Sequence, residues 1–360
     1  MTLQATSAAT AGPVRAWAFG VAALIFVMVL VGGATRLTES GLSITQWKPI
    51  SGALPPLNSA DWAAEFDAYK AIPQYAAMNA DMTLEGFKSI FWWEWSHRLL
   101  ARAIGLAFVV PALYFWTRGR LKGALGRRVA LATALLALEP IVGWWMVSSG
   151  LSNRTEVAQD RLAIHLLIAA ATFAALIHAG VGASAQRREL YPAGFQAAAC
   201  GFAALVFAQL GLGALVAGLR AGRIYNDWPF MGGRWLPSEA FSLSPWFRSL
   251  VDDAATAQFD HRLIAYIIVV AALALAVAAS RAAPGTRMAR RARILAAIAL
   301  AQAALGIATL LFVAPIPLAL AHQALALALF GMAVAHASAT QRDLMAAAYA
   351  APASAAAVTS

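Results

Sequence analysis

Eight apolar runs with few charges punctuate this chain, each long enough to cross about 30 Å of hydrocarbon. They lie near 15–34, 98–117, 129–148, 162–182, 195–217, 262–280, 292–313 and 319–337. Lipid offers the backbone no hydrogen-bond partners, so such runs fold as helices. The expectation is an all-α polytopic membrane protein. Composition agrees: 61% of the 360 residues are hydrophobic and 12% charged, against roughly a half and a quarter in soluble domains. The net charge of +10 does not point to nucleic acid, because the basic residues cluster in short loops between the runs. The single cysteine, Cys200, lies within an apolar run and reads as a small buried residue. One cysteine excludes a disulfide and a cysteine-ligated zinc or iron–sulfur site within the chain.

The short loops set the orientation. Loop 118–128 carries Arg118, Arg120, Lys122, Arg127 and Arg128, loop 183–194 carries Arg187 and Arg188, and segment 281–291 carries Arg281, Arg287, Arg290 and Arg291. Most carboxylates fall on the other side, chiefly in the long loops 35–97 and 218–261. Both termini are therefore expected in the cytoplasm, with the long loops outside, toward the periplasm if the membrane is a Gram-negative inner membrane. The first run has one flanking Arg15 and no small-residue cleavage site, and reads as a retained helix. Residues 1–14 and 345–360 are rich in Ala, Thr and Ser and read as disordered tails.

The two halves, 15–185 and 195–340, resemble each other. "TQWKPISGALPP" answers to "NDWPFMGGRWLP", and "EWSHRLLA" to "QFDHRLIA". His97 then corresponds to His261, Gly143 to Gly306 and His165 to His322, at a nearly constant separation along the chain. Such spacing predicts two pseudo-symmetric four-helix bundles in parallel orientation, related by an axis along the membrane normal. Bundles of this kind place cofactors in their cores. The first outward loop is longer than its counterpart, and the insertion at about 60–85 is expected to form a short peripheral helical segment.

His97, His165, His261 and His322 recur at one depth, at the outward ends of alternate helices. Two neutral imidazoles facing each other suit the axial positions of haem iron. Zinc, the rival metal, wants a third or fourth protein ligand, which each half supplies poorly unless Glu94 joins. His178 and His336 form another repeat pair, about 20 Å further along their helices. They read as snorkelling interfacial residues rather than a second haem layer.

The halves differ at one telling position. Glu94 precedes His97 by three residues and shares its helix face, whereas the second half has Gln258 there. A carboxylate can act as a base, orient water or stabilise a developing cation. This assigns reaction to the N-terminal half and a permanent cofactor to the C-terminal half. The plainer alternative pairs Glu94 with Arg98 or Arg102. Arg98 and Arg262 follow their histidines, and Arg36 and Arg220 close the preceding helices. They are either bidentate partners for haem propionates or ordinary interface anchors.

With "GGATRLTESGLSITQWKPISGALPP", "EGFKSIFWWEWSHRLLAR", "GWWMVSSGL", "NDWPFMGGRWLP" and "QFDHRLIAY", residues 17–340 resemble the haem A synthase family in its mitochondrial and proteobacterial form. The resemblance implies oxidation of a ring methyl of haem O to a formyl group, giving haem A for cytochrome oxidase. It also implies that His261 and His322 hold a resident haem b, that His97 and His165 face haem O, and that Glu94 is the glutamate of the EWxHR motif. Expected partners are haem O, a haem O synthase, oxidase assembly factors, an unidentified electron donor and membrane lipid. Small residues in the last four helices also permit a homo-oligomer. The cysteine pair of some bacterial members has no counterpart. "LEPIVGWW" stands where relatives typically have Gln-Gly, so Glu139 is an acid within a span and Pro140 removes a helix hydrogen bond. The alternative functions are a two-haem b-type electron carrier and a transporter. A transporter requires helices broken near mid-membrane, and Pro140 reads as the one proline well inside a span.

Overall fold

The computed structural model describes residues 2–183 and 194–350, with side chains described from Gly12 to Thr340. The Arg187–Arg188 segment and the tail after Ala350 lie outside the described residues. In chain order the helices are α1 (Thr2–Leu37), α2 (Ser59–Lys70), α3 (Pro73–Met78), α4 (Leu84–Thr117), α5 (Gly123–Ser148), α6 (Gln159–Gly182), α7 (Phe195–Gly218), α8 (Ser249–Asp252), α9 (Ala254–Ala282), α10 (Arg287–Leu311) and α11 (Ile316–Ala350). No strand occurs among the described residues. Eight helices, α1, α4–α7 and α9–α11, are long and apolar enough to span a membrane, as expected. An even number of crossings puts both ends of the bundle's chain on one side.

Several boundaries move. α1 begins at Thr2 and α11 reaches Ala350, so residues 2–14 and 345–350, read as tails, continue those helices. Both stretches are Ala-rich, and Ala is the strongest helix former. α4 starts at Leu84 rather than near 98. Thr83 caps it by accepting from Gly86 N at 3.2 Å, and Glu85 favours the positive end of the helix dipole. The predicted peripheral segment is present as α2, which packs beside the top of α4, and α3, which packs on α2. There Phe66, Tyr69, Phe87 and Phe91 form a buried aromatic cluster.

Within the first half α1 packs on α4 and α6, and α5 on α4 and α6. In the second half α7 packs on α9 and α11, and α10 on α9 and α11. Each group is thus a ring of four with the same neighbour order, which is compatible with paired four-helix bundles. α6 meets α7 and α11, and α1 meets α11, joining the groups. A continuous apolar core crosses that junction, including Ile25, Phe108, Leu176, Val206, Leu275 and Leu327. Apolar side chains such as Leu106, Val110 and Val270 stay exposed on the outer surface, where lipid replaces water as solvent. Cys200 is exposed on α7 rather than buried, because the outward side of a span needs only to be apolar. Pro140 lies within an unbroken α5, and Pro111 lies likewise within α4, so Pro140 is not alone. None of the eight spans is interrupted, unlike the broken helices of transporters.

The halves also meet through charge at the long-loop end. Arg36 Nη2 contacts Glu156 Oε2 at 2.6 Å, Arg220 contacts Glu39 Oε1 at 2.7 Å, and Arg220 also pairs with Glu156. Glu39 and Arg220 both adopt left-handed backbone, φ 57° and 52°. They end the first helix of their respective halves. They also occupy equivalent places, since Trp47 and Trp228 stand the same distance apart along the chain as Glu39 and Arg220 do.

Candidate haem sites

The four histidines stand near the long-loop end of four helices. His165, His261 and His322 each follow the start of their helix by six or seven residues. His97 sits deeper in α4 because that helix extends beyond the others. Each imidazole is set against a glycine of a neighbouring helix. A Cβ added at Gly32 of α1 would meet the His97 ring at 3.1 Å, at Gly143 of α5 the His165 ring at 3.2 Å, at Gly213 of α7 the His261 ring at 3.3 Å, and at Gly306 of α10 the His322 ring at 2.8 Å. The missing side chains let backbone and ring approach, so glycine fixes the position of all four candidate ligands. Gly306→Ala is expected to push His322 aside and lower affinity for a haem held there about tenfold, read as haem absorbance per protein. Gly143→Ala, with more room, should perturb its half less.

In the C-terminal half the rings of His261 and His322 face each other, centroids 6.4 Å apart and planes inclined at 71°. A metal bound to one nitrogen of each at about 2.0 Å would put the ring centres about 6 Å apart. His261 Nδ1 is buried without a hydrogen-bond partner, as expected of a group whose full set of contacts includes a ligand. Gln209 holds the His261 backbone carbonyl at 2.8 Å, and Gln302 Nε2 lies 3.1 Å from His322 Nδ1. These residues fit a haem between α9 and α11. Among the described residues no comparable ring contact joins His97 and His165. No group of three or more His, Cys, Asp or Glu residues suited to a metal ion occurs among the described residues.

Glu94 is 3% exposed, and both its oxygens are engaged. Oε2 accepts from Ser43 Oγ and Ile44 N, each at 2.8 Å, and Oε1 from Arg98 Nη2 at 2.6 Å. Arg98 also donates to the carbonyls of Ile44 and Gln46. The second half repeats this staple. Arg262 donates to the carbonyls of Tyr225, Asp227 and Phe230, and Gln258 Nε2 to Tyr225 O at 2.9 Å. Each arginine thus ties the loop descending from the half's first helix to the histidine helix. In the second loop the Asp227 carboxyl accepts from Gly232 N and Gly233 N. Those two backbone donors, helped by Arg262, hold it below the ordinary carboxylate range.

The candidate arginines are therefore brought to protein partners: Arg98 and Arg262 to loop carbonyls, and Arg36 and Arg220 to carboxylates of the inter-half cluster. Sequence reasoning missed those carboxylates, Glu39 and Glu156. It also left Glu139 without a partner, whereas its Oε2 lies 2.7 Å from His165 Nδ1. The signal was available, because the offset that equates Gly143 with Gly306 also equates Glu139 with Gln302. His178 and His336 do not snorkel. His178 Nδ1 bonds Ser338 Oγ at 2.8 Å, and His336 is 1% exposed, with Arg291 Nε 3.5 Å away. Small residues around them let the helices close over their rings. An open polar cleft of about 420 Å³ among the 148–161 residues, lined by Ser149, Arg154, Gln159 and Asp252, is too polar for a porphyrin.

The family described as cytochrome oxidase assembly protein (COX15-CtaA) matches residues 15–334. A protein of Rhodopseudomonas palustris (strain BisA53) named haem A synthase is 53% identical over 312 residues, covering 85% of this chain and 86% of the relative. A haem A synthase of Beijerinckia indica is 50% identical over 328 residues, covering 90% and 91%. One of Brucella anthropi is 47% identical over 328 residues, covering 91% and 92%.

Proposed function

Because the chain belongs to the haem A synthase family, the COX15-CtaA cytochrome oxidase assembly proteins, we propose that it converts haem O to haem A in its N-terminal half while its C-terminal half holds a resident haem b. It is an enzyme of haem A biosynthesis embedded in a membrane through eight helices. The reaction is an oxidation of a ring methyl to a formyl group, which makes the enzyme an oxidoreductase. The observation that carries the assignment of halves is the facing His261–His322 pair, already spaced for one metal between them.

His261 and His322 hold the resident haem, and His97 and His165 present their imidazoles to haem O. When bound, the haem irons supply the redox chemistry. The chain supplies position and charge. Gly32 and Gly143 let the helix backbone seat the His97 and His165 rings. Arg98 locks the loop above His97 to α4. Glu94 has both oxygens held in place by Ser43, Ile44 and Arg98. Its role is a fixed negative charge one helical turn from His97, stabilising positive charge that develops at the substrate carbon. Arg262 and Gln258 keep the equivalent loop closed over the resident haem. The stacked Trp47–Trp144 pair, centroids 6.0 Å apart, gives the first site an aromatic wall for the porphyrin edge. Arg36 and Arg220 set the spacing between halves through Glu39 and Glu156 and leave propionate recognition a secondary role.

In the cell the chain sits in the inner membrane, with both termini cytoplasmic and the long loops and haem sites toward the periplasm. It receives haem O from a haem O synthase and passes haem A toward oxidase assembly. The test is co-expression with a haem O synthase and chromatography of the extracted haem. Haem A, or its hydroxylated precursor, is the expected result. Haem b alone, with haem O unconverted, would overturn the proposal and return the chain to the electron-carrier reading.

A further inference from the structure

The two halves differ at a second position, and the difference falls on a candidate iron ligand. On α5, Glu139 and Gly143 lie one turn apart on a face that meets His165. Gly143 touches the ring, and Glu139 Oε2 lies 2.7 Å from Nδ1. On α10, Gln302 and Gly306 repeat the arrangement against His322, with Gln302 Nε2 3.1 Å from Nδ1. The scaffold is the same and the polar group is not. The Glu139 and His165 atoms are within hydrogen-bond reach, although the ring N–H does not point along the line between them. Glu139 Oε1 is buried without a partner. A rotation of the imidazole about its Cβ–Cγ bond brings Nδ1–H onto the carboxylate and leaves Nε2 free to bind a metal.

We propose that Glu139 is a positioning residue that makes His165 a stronger, more anionic ligand than His322, so that a haem in the N-terminal half favours its oxidised state more than one in the C-terminal half. A carboxylate accepting from the far nitrogen of a ligating imidazole fixes its tautomer and raises its basicity. More electron density at the iron stabilises the higher charge, and axial ligation is the protein's main control of haem potential. The amide carries no charge, and Gln302 turns its donor Nε2 toward the ring and the His322 carbonyl, so it does not accept the ring N–H as a carboxylate can. With Glu94 on the His97 side, the N-terminal site has a carboxylate beside each ligand, where the C-terminal site has Gln258 and Gln302. The half-buried acid in α5 thereby gains a reason to exist, since an intramembrane carboxylate without a partner is costly.

The inference rests on the reading of His97 and His165 as haem ligands, and its test separates the two. Holo-protein carrying haem in both halves is titrated potentiometrically, wild type against Glu139→Gln, with low-spin electron paramagnetic resonance recorded on each. The expected change is about tenfold in the oxidised-to-reduced preference of one haem, or about 59 mV upward for a one-electron couple, with the other haem unmoved and haem content retained. Unchanged potentials with both haems present overturn the role of Glu139. Should Glu139→Gln fail to hold haem in the first half, Gln302→Glu gives the reciprocal reading. It should lower the potential of the second haem by a similar amount, and no shift there overturns the proposal. If the wild type binds haem in only one half, the ligand assignment itself fails.

Discussion

A His261→Ala protein made beside a haem O synthase is expected to lose the absorbance of its resident haem and to leave haem O unconverted, whereas His97→Ala keeps that absorbance and still makes no haem A. The effect is large because an axial ligand is removed outright. Losing a group that merely supports a metal ligand costs about 10–100-fold in affinity or activity, so the ligand itself should exceed that. His261 is set for the role by Gly213 against its ring, Gln209 on its carbonyl and His322 opposite at 6.4 Å. The two variants separate the halves. Equal loss of all haem from both, or resident haem surviving in His261→Ala, would refute the assignment.

Glu94→Ala should fail earlier, at assembly. It leaves Ile44 N without its acceptor and takes the carboxylate from Ser43 Oγ and from the Arg98 guanidinium, which keeps only the Ile44 and Gln46 carbonyls. Breaking a buried ion pair from one side costs about 3–5 kcal/mol, enough to free the 40–46 loop from α4 and lower the yield of folded protein. Glu94→Gln is the informative companion. The other half is built around glutamine at this position, with Gln258 bonded to the equivalent loop, so the substitution should fold and bind haem O. With the charge gone, conversion is expected to fall about 100-fold, measured as haem A formed per bound haem O. Full conversion by Glu94→Gln would reduce Glu94 to a loop anchor.

The spans were legible in the sequence because lipid demands long apolar runs, and nothing else in the chain imitates them. The outward extension of α4 was not. Lys88, Glu94 and the tryptophans of "FWWEW" interrupt its apolar run, and the aromatic cluster that buries its start is closed by the preceding helices α2 and α3. The histidine pairs were legible through repetition, and the Glu94–Gln258 contrast through alignment of the halves. Their partners were less so. Arg98 sits beside His97 in sequence, yet its main partners are carbonyls far earlier in the chain, which no local pattern announces. Arg36 and Arg220 looked equivalent because each ends a helix. The tryptophan spacing instead equates Glu39 with Arg220, and the tertiary fold supplies Glu156. Glu139 read as an anomaly because its partner lies across a helical hairpin.

That contact between Glu39 and Arg220 bears on how the halves choose each other. If the halves are related by the axis that the repeat predicts, two residues at equivalent places that touch lie close to it. Two copies of the first half docked in the same way would set glutamate against glutamate, and two copies of the second arginine against arginine. Either self-pairing meets like charges, while the mixed pairing closes an attractive contact. Of the three pairings, the one found in this chain is the one in which this contact is attractive.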